Sequence, residues 1–577
     1  MALLSPITML VAFIILGIAV TVRLAAAALS SPLKHIPGPW YINFTHWVLK
    51  YYTVTGQRMY YIHSLHERYG TVVRITPDEI SVADPDGYID IYRMGSGFIK
   101  SKFYKQISGG ANPAIFTIID PKEHAARRKL FARAFTISSI RENCEALVRE
   151  KVEKATDCIR SEAMEGRSDV LKWWTLMASD VVGQLAFGES FELLELGKKN
   201  RFVEVLQAAA AASARRIELP WLHALISHLS RLSPRTMQLL TNTRGEMIKY
   251  GQRAVENLRR NKDNKANLFA TILAESETNE KSKLTDDVIR VEASNMLIAG
   301  SDTLSNSLTY VVWAILKRPE LQRRLEDEVA ALDDHFDDVV LEKLTLLNAV
   351  IYESMRLYGA ASGSFPRETP PCGATIGGYF IPGGTEVALQ AYTIHRLPEV
   401  FSDPLKFDES RFMPGVPTER QKQLFSAFGH GSRSCIGIHL AWMELRLAIA
   451  LLFRKCRGLR LADDITDDMM HMVSFLVIKP AGNICDVTLC KNKMVRITSV
   501  LAVLAAVTSA SALRCNIQVR NSVGGVVGSS CVDAGATGSV KSSQSGATIN
   551  FKTSTSCGVD ATGGLGPNES LSNGGNC

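Results

Sequence analysis

The stretch Phe425-Ser-Ala-Phe-Gly-His-Gly-Ser-Arg-Ser-Cys-Ile-Gly437 decides how the rest of the chain is read. It sets one cysteine, Cys435, at the end of a glycine-rich loop, and an apolar run with helical spacing, Ile438 to Phe453, follows at once. Thiolate is the ligating and nucleophilic form of cysteine, and a helix N-terminus lowers its pKa. Glycines bring the backbone close to a flat cofactor and turn N–H groups toward the sulfur, where their bonds tune a ligated metal. Arg433, two residues earlier, can pair with an acidic group on the same cofactor. The plain alternative is a loop-to-helix junction holding a buried, inert cysteine.

Together Phe428, Gly429, Gly431, Arg433, Cys435 and Gly437 resemble the haem-binding loop of the cytochrome P-450 family. The resemblance implies that Cys435 is the axial thiolate ligand of the iron of haem b (iron protoporphyrin IX), pushing electron density toward O–O cleavage. Phe428, Gly429, Arg433 and Gly437 would then lie against the cofactor. It also implies a mainly α fold with small β-sheets, the haem sitting between a long oxygen-side helix and the helix after the Cys loop. It spans about residues 30–490.

The other bounds agree. A chain of 577 residues is too long for one ordinary core, so one large domain with appendages is expected. Apolar content of 46% and charged content of 21% argue against global disorder, and a net charge of +7 is too mild to suggest nucleic acid as a partner. Cys144, Cys158, Cys372, Cys435, Cys456, Cys485 and Cys490 are scattered without metal or disulfide spacing, as in a reducing compartment.

Met1 to Val22 carries no charged side chain and is long enough to cross a bilayer; Arg23, Lys34 and His35 follow it. That polarity is the reverse of a cleaved signal peptide and favours an uncleaved anchor over 1–29, leaving the rest in the cytosol. Residues 30–40 end in Ile36-Pro-Gly-Pro-Trp40, a stiff linker, and the catalytic domain is expected over 41–490. The location implied is the endoplasmic reticulum membrane.

Within that domain Tyr69–Ile75 and Glu79–Val82 read as a short hairpin, and residues 95–120 as an irregular glycine-bearing loop. His124 and Arg128 share a helix face, and from the resemblance they would hold a haem propionate. Arg367 is a further propionate contact by the same resemblance. Residues 141–273 read as mostly helical; Ala208–Ala212 and Ile217–Ile226 fall where the family has its substrate-entry helices and membrane-dipping loop. Thr285 can cap a helix running to about Lys317, whose apolar middle is broken by Ala299-Gly-Ser-Asp-Thr303. An acid and a hydroxyl there violate the local pattern, which often marks function. The pentad resembles the family's oxygen-activating segment: Gly300 would leave room for dioxygen, Thr303 would hydrogen-bond it and Asp302 would relay protons. Glu353-x-x-Arg356, with Arg411 downstream, resembles the buried cluster that supports the haem-side core, a structural role. Met472–Phe475 would line the substrate pocket.

After Lys493 the character changes. Residues 494–512 have a basic start, an apolar core and Ala-x-Ala, the layout of a secretory signal peptide. Residues 513–577 are Gly/Ser/Thr-rich, with Cys515, Cys531, Cys557, Cys577 and the sequon Asn568-Glu-Ser570; four cysteines suggest two disulfides in one of three pairings. We read the chain as a gene-model fusion of a haem-thiolate enzyme and a small secreted cysteine-rich protein; the rival is a true fusion with a second membrane segment.

The resemblance implies a monooxygenase that hydroxylates or epoxidises an apolar small molecule. It would take electrons from NADPH through a flavoprotein reductase docking near the Cys435 face. Gly97–Tyr104 and Asp120–His124 look most like fungal members that modify polyketides or terpenoids. The second reading keeps the fold but rearranges or dehydrates a preoxidised substrate without external O2; the Asp302–Thr303 pair argues against it.

Overall fold

The computed structural model describes residues 6–108, 112–199, 201–229, 249–252, 255–257, 260, 268–277, 284–489, 514–523, 525–533, 536–553, 559–565 and 569–576. The chain divides into two compact units, Met1–Asn492 and Lys493–Cys577.

The first unit opens with helix α1 (Pro6–Ser30), mostly apolar with Arg23 as its one charge and largely exposed, and long enough over Leu10–Ser30 to cross a membrane. The linker after it docks on the first strand. Arg74 donates its N–H to the Pro37 carbonyl at 2.9 Å, and a side chain at Gly38 would come within 2.6 Å of the Arg74 carbonyl. β1 (Val72–Arg74) and β2 (Glu79–Val82) form the expected hairpin. They are one edge of a five-stranded sheet that also takes β3 (Ile99–Lys100), β4 (Arg367–Glu368) and β5 (Glu386–Ala388), in the order β1-β2-β5-β4-β3 with only β2 and β5 parallel.

The helical body is built from α2 (Pro121–Ala132), α3 (Ile137–Glu165), α4 (Val170–Phe187), α5 (Arg201–Glu218), α6 (Asp286–Leu316), α7 (Thr345–Tyr358) and α8 (Ile438–Lys455). The longest, α6, is capped by Thr285, whose hydroxyl accepts from the Val288 N–H, as read from the sequence. It is buried at nearly every position from Leu304 to Leu316, and so is α8 from Trp442 to Phe453; helices buried on every face belong at the centre of a large core. α4 packs along α6, and Trp174, Met177 and Val181 on it are inaccessible to solvent. Last comes a hairpin, β6 (Met472–Ser474) with β7 (Ile478–Pro480), whose β7 strand packs on α6.

One expectation is corrected here. Residues 95–120 are not a plain loop, because they hold β3 and a short helix, Phe103–Ser108. The partner that makes Ile99–Lys100 a strand is Arg367–Glu368, far along the chain and invisible to local pattern.

The second unit has two antiparallel three-stranded sheets. β8 (Arg514–Asn521), β9 (Val526–Asp533) and β13 (Glu569–Asn576) run in the order β9-β8-β13; β10 (Thr537–Lys541), β11 (Thr548–Thr553) and β12 (Val559–Gly563) run in sequence. Ile549, Phe551 and Thr553 alternate inward on β11, and Ile549 and Phe551 make a small apolar core with Ile517, Val519 and Val540. Cys531 is disulfide-bonded. The signal-like segment 494–512, the sequon's Asn568, and Cys490, Cys557 and Cys577 lie outside the described residues.

Candidate active site

A cavity of about 1000 Å³ separates the middle of α6 from the Cys435 loop. The loop is shaped by its glycines: Gly429 and Gly431 have φ of +71° and +64°, and a side chain at Gly431 would lie 2.1 Å from the Tyr92 carbonyl. The Cys435 N–H donates to the Phe428 carbonyl at 2.8 Å, closing the loop on itself. Cys435 is a free cysteine deep in the protein whose surface is accessible because the loop turns it into the cavity. Burial raises its thiol pKa, while the Gly437 backbone N–H and the Arg128 charge pull the other way. Gly437 itself is the N-cap of α8. The sulfur therefore has stabilisers for an anion, a backbone N–H and a guanidinium, set against the cost of burial.

The cavity wall beside it carries Lys100, His124, Arg128, Arg367 and Arg433. His124 and Arg128 sit one turn apart on α2, whose N-cap Asp120 accepts from the Glu123 N–H at 2.7 Å. Arg128 donates to the Ser434 carbonyl at 2.8 Å, and Arg433 to the carbonyls of Ile118 and Ile119 at 2.7 and 3.0 Å. Arg367 donates to the Pro366 carbonyl at 3.1 Å, and Lys100 to the Phe116 carbonyl. Among the described residues none of these four cations pairs with a carboxylate, although the field of Asp120 favours the charge on Arg433. Burial and then Arg367 push Arg433 down to about 10. Burial, with Arg433, Lys100, Arg128 and Arg367 behind it, pushes His124 down to about 3, and Lys100 falls well below its usual range for the same reasons. A buried cluster of basic groups held by neutral carbonyls sheds protons when empty and favours an anionic guest.

Across the cavity Ala299, Asp302 and Thr303 face in from α6. The Thr303 hydroxyl donates back to the Ala299 carbonyl at 2.5 Å, leaving its oxygen free to accept a bond. Burial pushes Asp302 up to about 7, opposed by the charge of Lys479 on β7. Gly300 does something other than expected. A side chain there would meet Val182 Cγ2 at 2.8 Å, so the glycine permits close packing of α6 on α4 and does not face the cavity. The pocket strand is also shifted: Ser474 to Val477 line the cavity, whereas Met472 is packed in the core. Of the proposed entry segments, the side chains of Ala208–Ala210 lie outside the described residues; Ala212 and Ile217 line the cavity.

Behind the loop Glu353 and Arg356 on α7 form a two-pronged pair, Arg356 Nε to Glu353 Oε2 at 2.7 Å and Nη2 to Oε1 at 2.8 Å, both without solvent exposure. Arg411 Nε stands 3.6 Å from Glu353, and the Asp408 N–H donates to it at 2.8 Å. The structure thus brings Glu353, Arg356 and Arg411 together in one buried cluster.

Sequence reasoning missed three residues. Lys100 joins the cation cluster through strand pairing. His395 is buried between α7 and the Cys loop. Glu292, buried on α6, accepts from the Ile115 N–H at 2.9 Å and from Arg127 at 2.7 Å, holding the cavity wall to α6. The signal for Glu292 was present: like Asp302, it is an acid in an apolar helix.

Residues 35–485 match the family model described as Cytochrome P450 (here written P-450), and residues 515–573 the one described as ToxB N-terminal domain. The chain is 41% identical over 475 residues to the cytochrome P-450 monooxygenase aflV of Aspergillus parasiticus, covering 81% of this chain and 93% of that protein. It is 42% identical over 466 residues to the cytochrome P-450 monooxygenase stcB of Emericella nidulans, covering 80% and 89%. To the cytochrome P-450 monooxygenase tazI of Aspergillus terreus it is 36% identical over 465 residues, covering 79% and 94%.

Proposed function

The chain belongs to the cytochrome P-450 family, as a monooxygenase, and from that premise we propose that it hydroxylates or epoxidises an apolar polyketide or terpenoid intermediate of secondary metabolism. The observation that carries the reading is the opposition of Cys435 to Asp302 and Thr303 across one cavity with a cation cluster at its edge. Haem b fits these walls: Cys435 would hold the iron, and Arg128, Arg367 and Arg433, with His124 and Lys100 beside them, would hold its propionates. Phe428, Gly429 and Gly437 shape the loop against it. When bound, haem supplies the redox chemistry by which one atom of O2 enters the substrate and the other leaves as water, with electrons from NADPH through a flavoprotein reductase.

The chain's own residues supply position and protons. Ile115, Ile298, Leu476 and Val477 keep the cavity apolar and favour a nonpolar substrate over water. Asp302, held near neutrality of its carboxyl by burial, is suited to pass a proton at about pH 7, and Thr303 to orient its acceptor. Helix α1 would anchor the enzyme in the endoplasmic reticulum membrane, with the catalytic unit cytosolic. The acid–hydroxyl pair favours this over an O2-independent isomerase or dehydratase; turnover that persists without NADPH and reductase would reverse the choice.

Asp302→Asn is expected to lower turnover roughly 10²-fold, the scale of general acid catalysis, with an unchanged ferrous carbon-monoxide spectrum. The wild-type rate should fall as pH rises through about 7, where Asp302 loses its proton, and this limb should vanish in the variant. A retained limb assigns the proton elsewhere.

Residues 494–577 are a separate secreted interaction protein joined in the gene model, on this reading. Its disulfide suits an oxidising compartment while the catalytic unit has free cysteines, and the relatives are matched over about nine tenths of their length without it. A chain ending at Asn492 is expected to give the same thiolate-type band per molecule as the whole. Loss of the band on shortening, or one uninterrupted transcript yielding one intact protein, would end the two-gene reading.

A further inference from the structure

The pair Glu353–Arg356 and the Cys435 loop touch different parts of the chain, yet one residue bonds to both. His395, in the segment after β5, is 2% exposed. It clamps Arg356 reciprocally: its carbonyl accepts from Arg356 Nη1 at 2.6 Å, and its ring Nδ1 stands 2.9 Å from the Arg356 carbonyl. Its Nε2 lies 2.9 Å from the Ser426 backbone nitrogen. A backbone N–H can only donate, so Nε2 is the acceptor and Nδ1 carries the proton; the neutral tautomer is fixed by both partners. The ring also stacks on Phe425, 5.5 Å between centroids and 16° from parallel. Ser426 is itself buried and lines the cavity, and only Ala427 separates it from Phe428, whose carbonyl takes the Cys435 N–H.

We propose that His395 is a positioning residue that transmits the rigidity of the Glu353–Arg356 pair to the Cys435 loop and so fixes where the sulfur stands. The inference rests on the reading of Cys435 as the haem ligand. The links run in one direction through the core: the carboxylate holds the guanidinium, the guanidinium and its own carbonyl hold His395, and His395 holds the first buried N–H of the loop. Two residues later the loop holds the cysteine. Without the imidazole the Ser426 N–H is orphaned in the core, and the near limb of the loop is free to move toward another acceptor. Partners that orient a metal ligand from behind change affinity or activity by about 10- to 100-fold when removed.

The test uses the full chain in microsomes and reads the ferrous carbon-monoxide spectrum per mole of bound haem. His395→Leu removes both ring bonds, and His395→Gln keeps an acceptor for Ser426 while losing the Nδ1 bond geometry. His66→Leu is the control: His66 is buried too and bonds the Gly70 carbonyl at 2.9 Å and Ser81 at 2.7 Å, neither of them in the loop. Conversion of the thiolate-type band to the thiol-type band is expected to be about tenfold faster in His395→Leu, intermediate in His395→Gln and unchanged in His66→Leu. If His395→Leu yields no haem protein, the comparison of His395→Gln with His66→Leu decides. Equal conversion rates in all variants and wild type would overturn the proposal. Absence of a thiolate band in the wild type would instead overturn the assignment of Cys435.

Discussion

Cys435→Ser is expected to abolish the thiolate-type band of the ferrous carbon-monoxide complex and to lower turnover by roughly 10³-fold, a barrier rise of about 4 kcal/mol. Serine keeps the size and the Phe428 backbone bond, so the loop should hold its shape and the apoprotein its fold. What is lost is an anion. The Gly437 N–H and Arg128 can favour a thiolate against the cost of burial, but a buried alcohol stays protonated under the same pull. No other described cysteine can take over. Burial pushes Cys144 and Cys456 up to about 12 and raises Cys158, Cys485 is buried, Cys372 is exposed on the surface, and Cys531 is held in a disulfide; of these none lines the cavity. A thiolate band surviving in Cys435→Ser would therefore exclude this loop as the ligand and undo the reading of the whole cavity.

The loop was legible because its requirements are local. Positive φ at Gly429 and Gly431, the arginine two residues ahead of the cysteine and the helix start at Gly437 all lie within one short stretch, so spacing alone puts them together. The acid and hydroxyl of α6 were legible as violations of an apolar helix. What failed was any property set by a distant partner. Gly300 looked like space for a small ligand, yet the neighbour that needs its missing side chain is Val182 on another helix. Lys100 enters the cation cluster only because β3 pairs with β4. The hairpin β6–β7 was placed correctly but its cavity-facing residues were read too early in the strand, since the turn, Ser474 to Val477, is what reaches the cavity. Local chemistry could be read from spacing; which face meets which neighbour could not.

The pair Glu353–Arg356 should show the largest loss of stability. Arg356→Leu leaves Glu353 charged at zero exposure with only the Asp408 N–H and the more distant Arg411, and is expected to cost about 3–5 kcal/mol. The carbonyls of His395, Pro404 and Lys406 lose their common donor at the same time. The double variant Glu353→Leu with Arg356→Leu should recover part of that loss, because no buried charge is then unpaired; the remainder measures how much the guanidinium contributes by holding those three carbonyls. Both are read as the midpoint of thermal loss of haem from the full chain. If Arg356→Leu alone is as stable as the wild type, the buried pair is not what holds the segment from His395 to Arg411 in place. If the double variant is no better than the single, the cost lies in the carbonyls and not in the stranded carboxylate. The second outcome would still leave the Cys435 loop tied to α7, since the His395 ring bonds the backbone carbonyl at position 356 and the Ser426 N–H, and neither bond needs the guanidinium or the charge on Glu353.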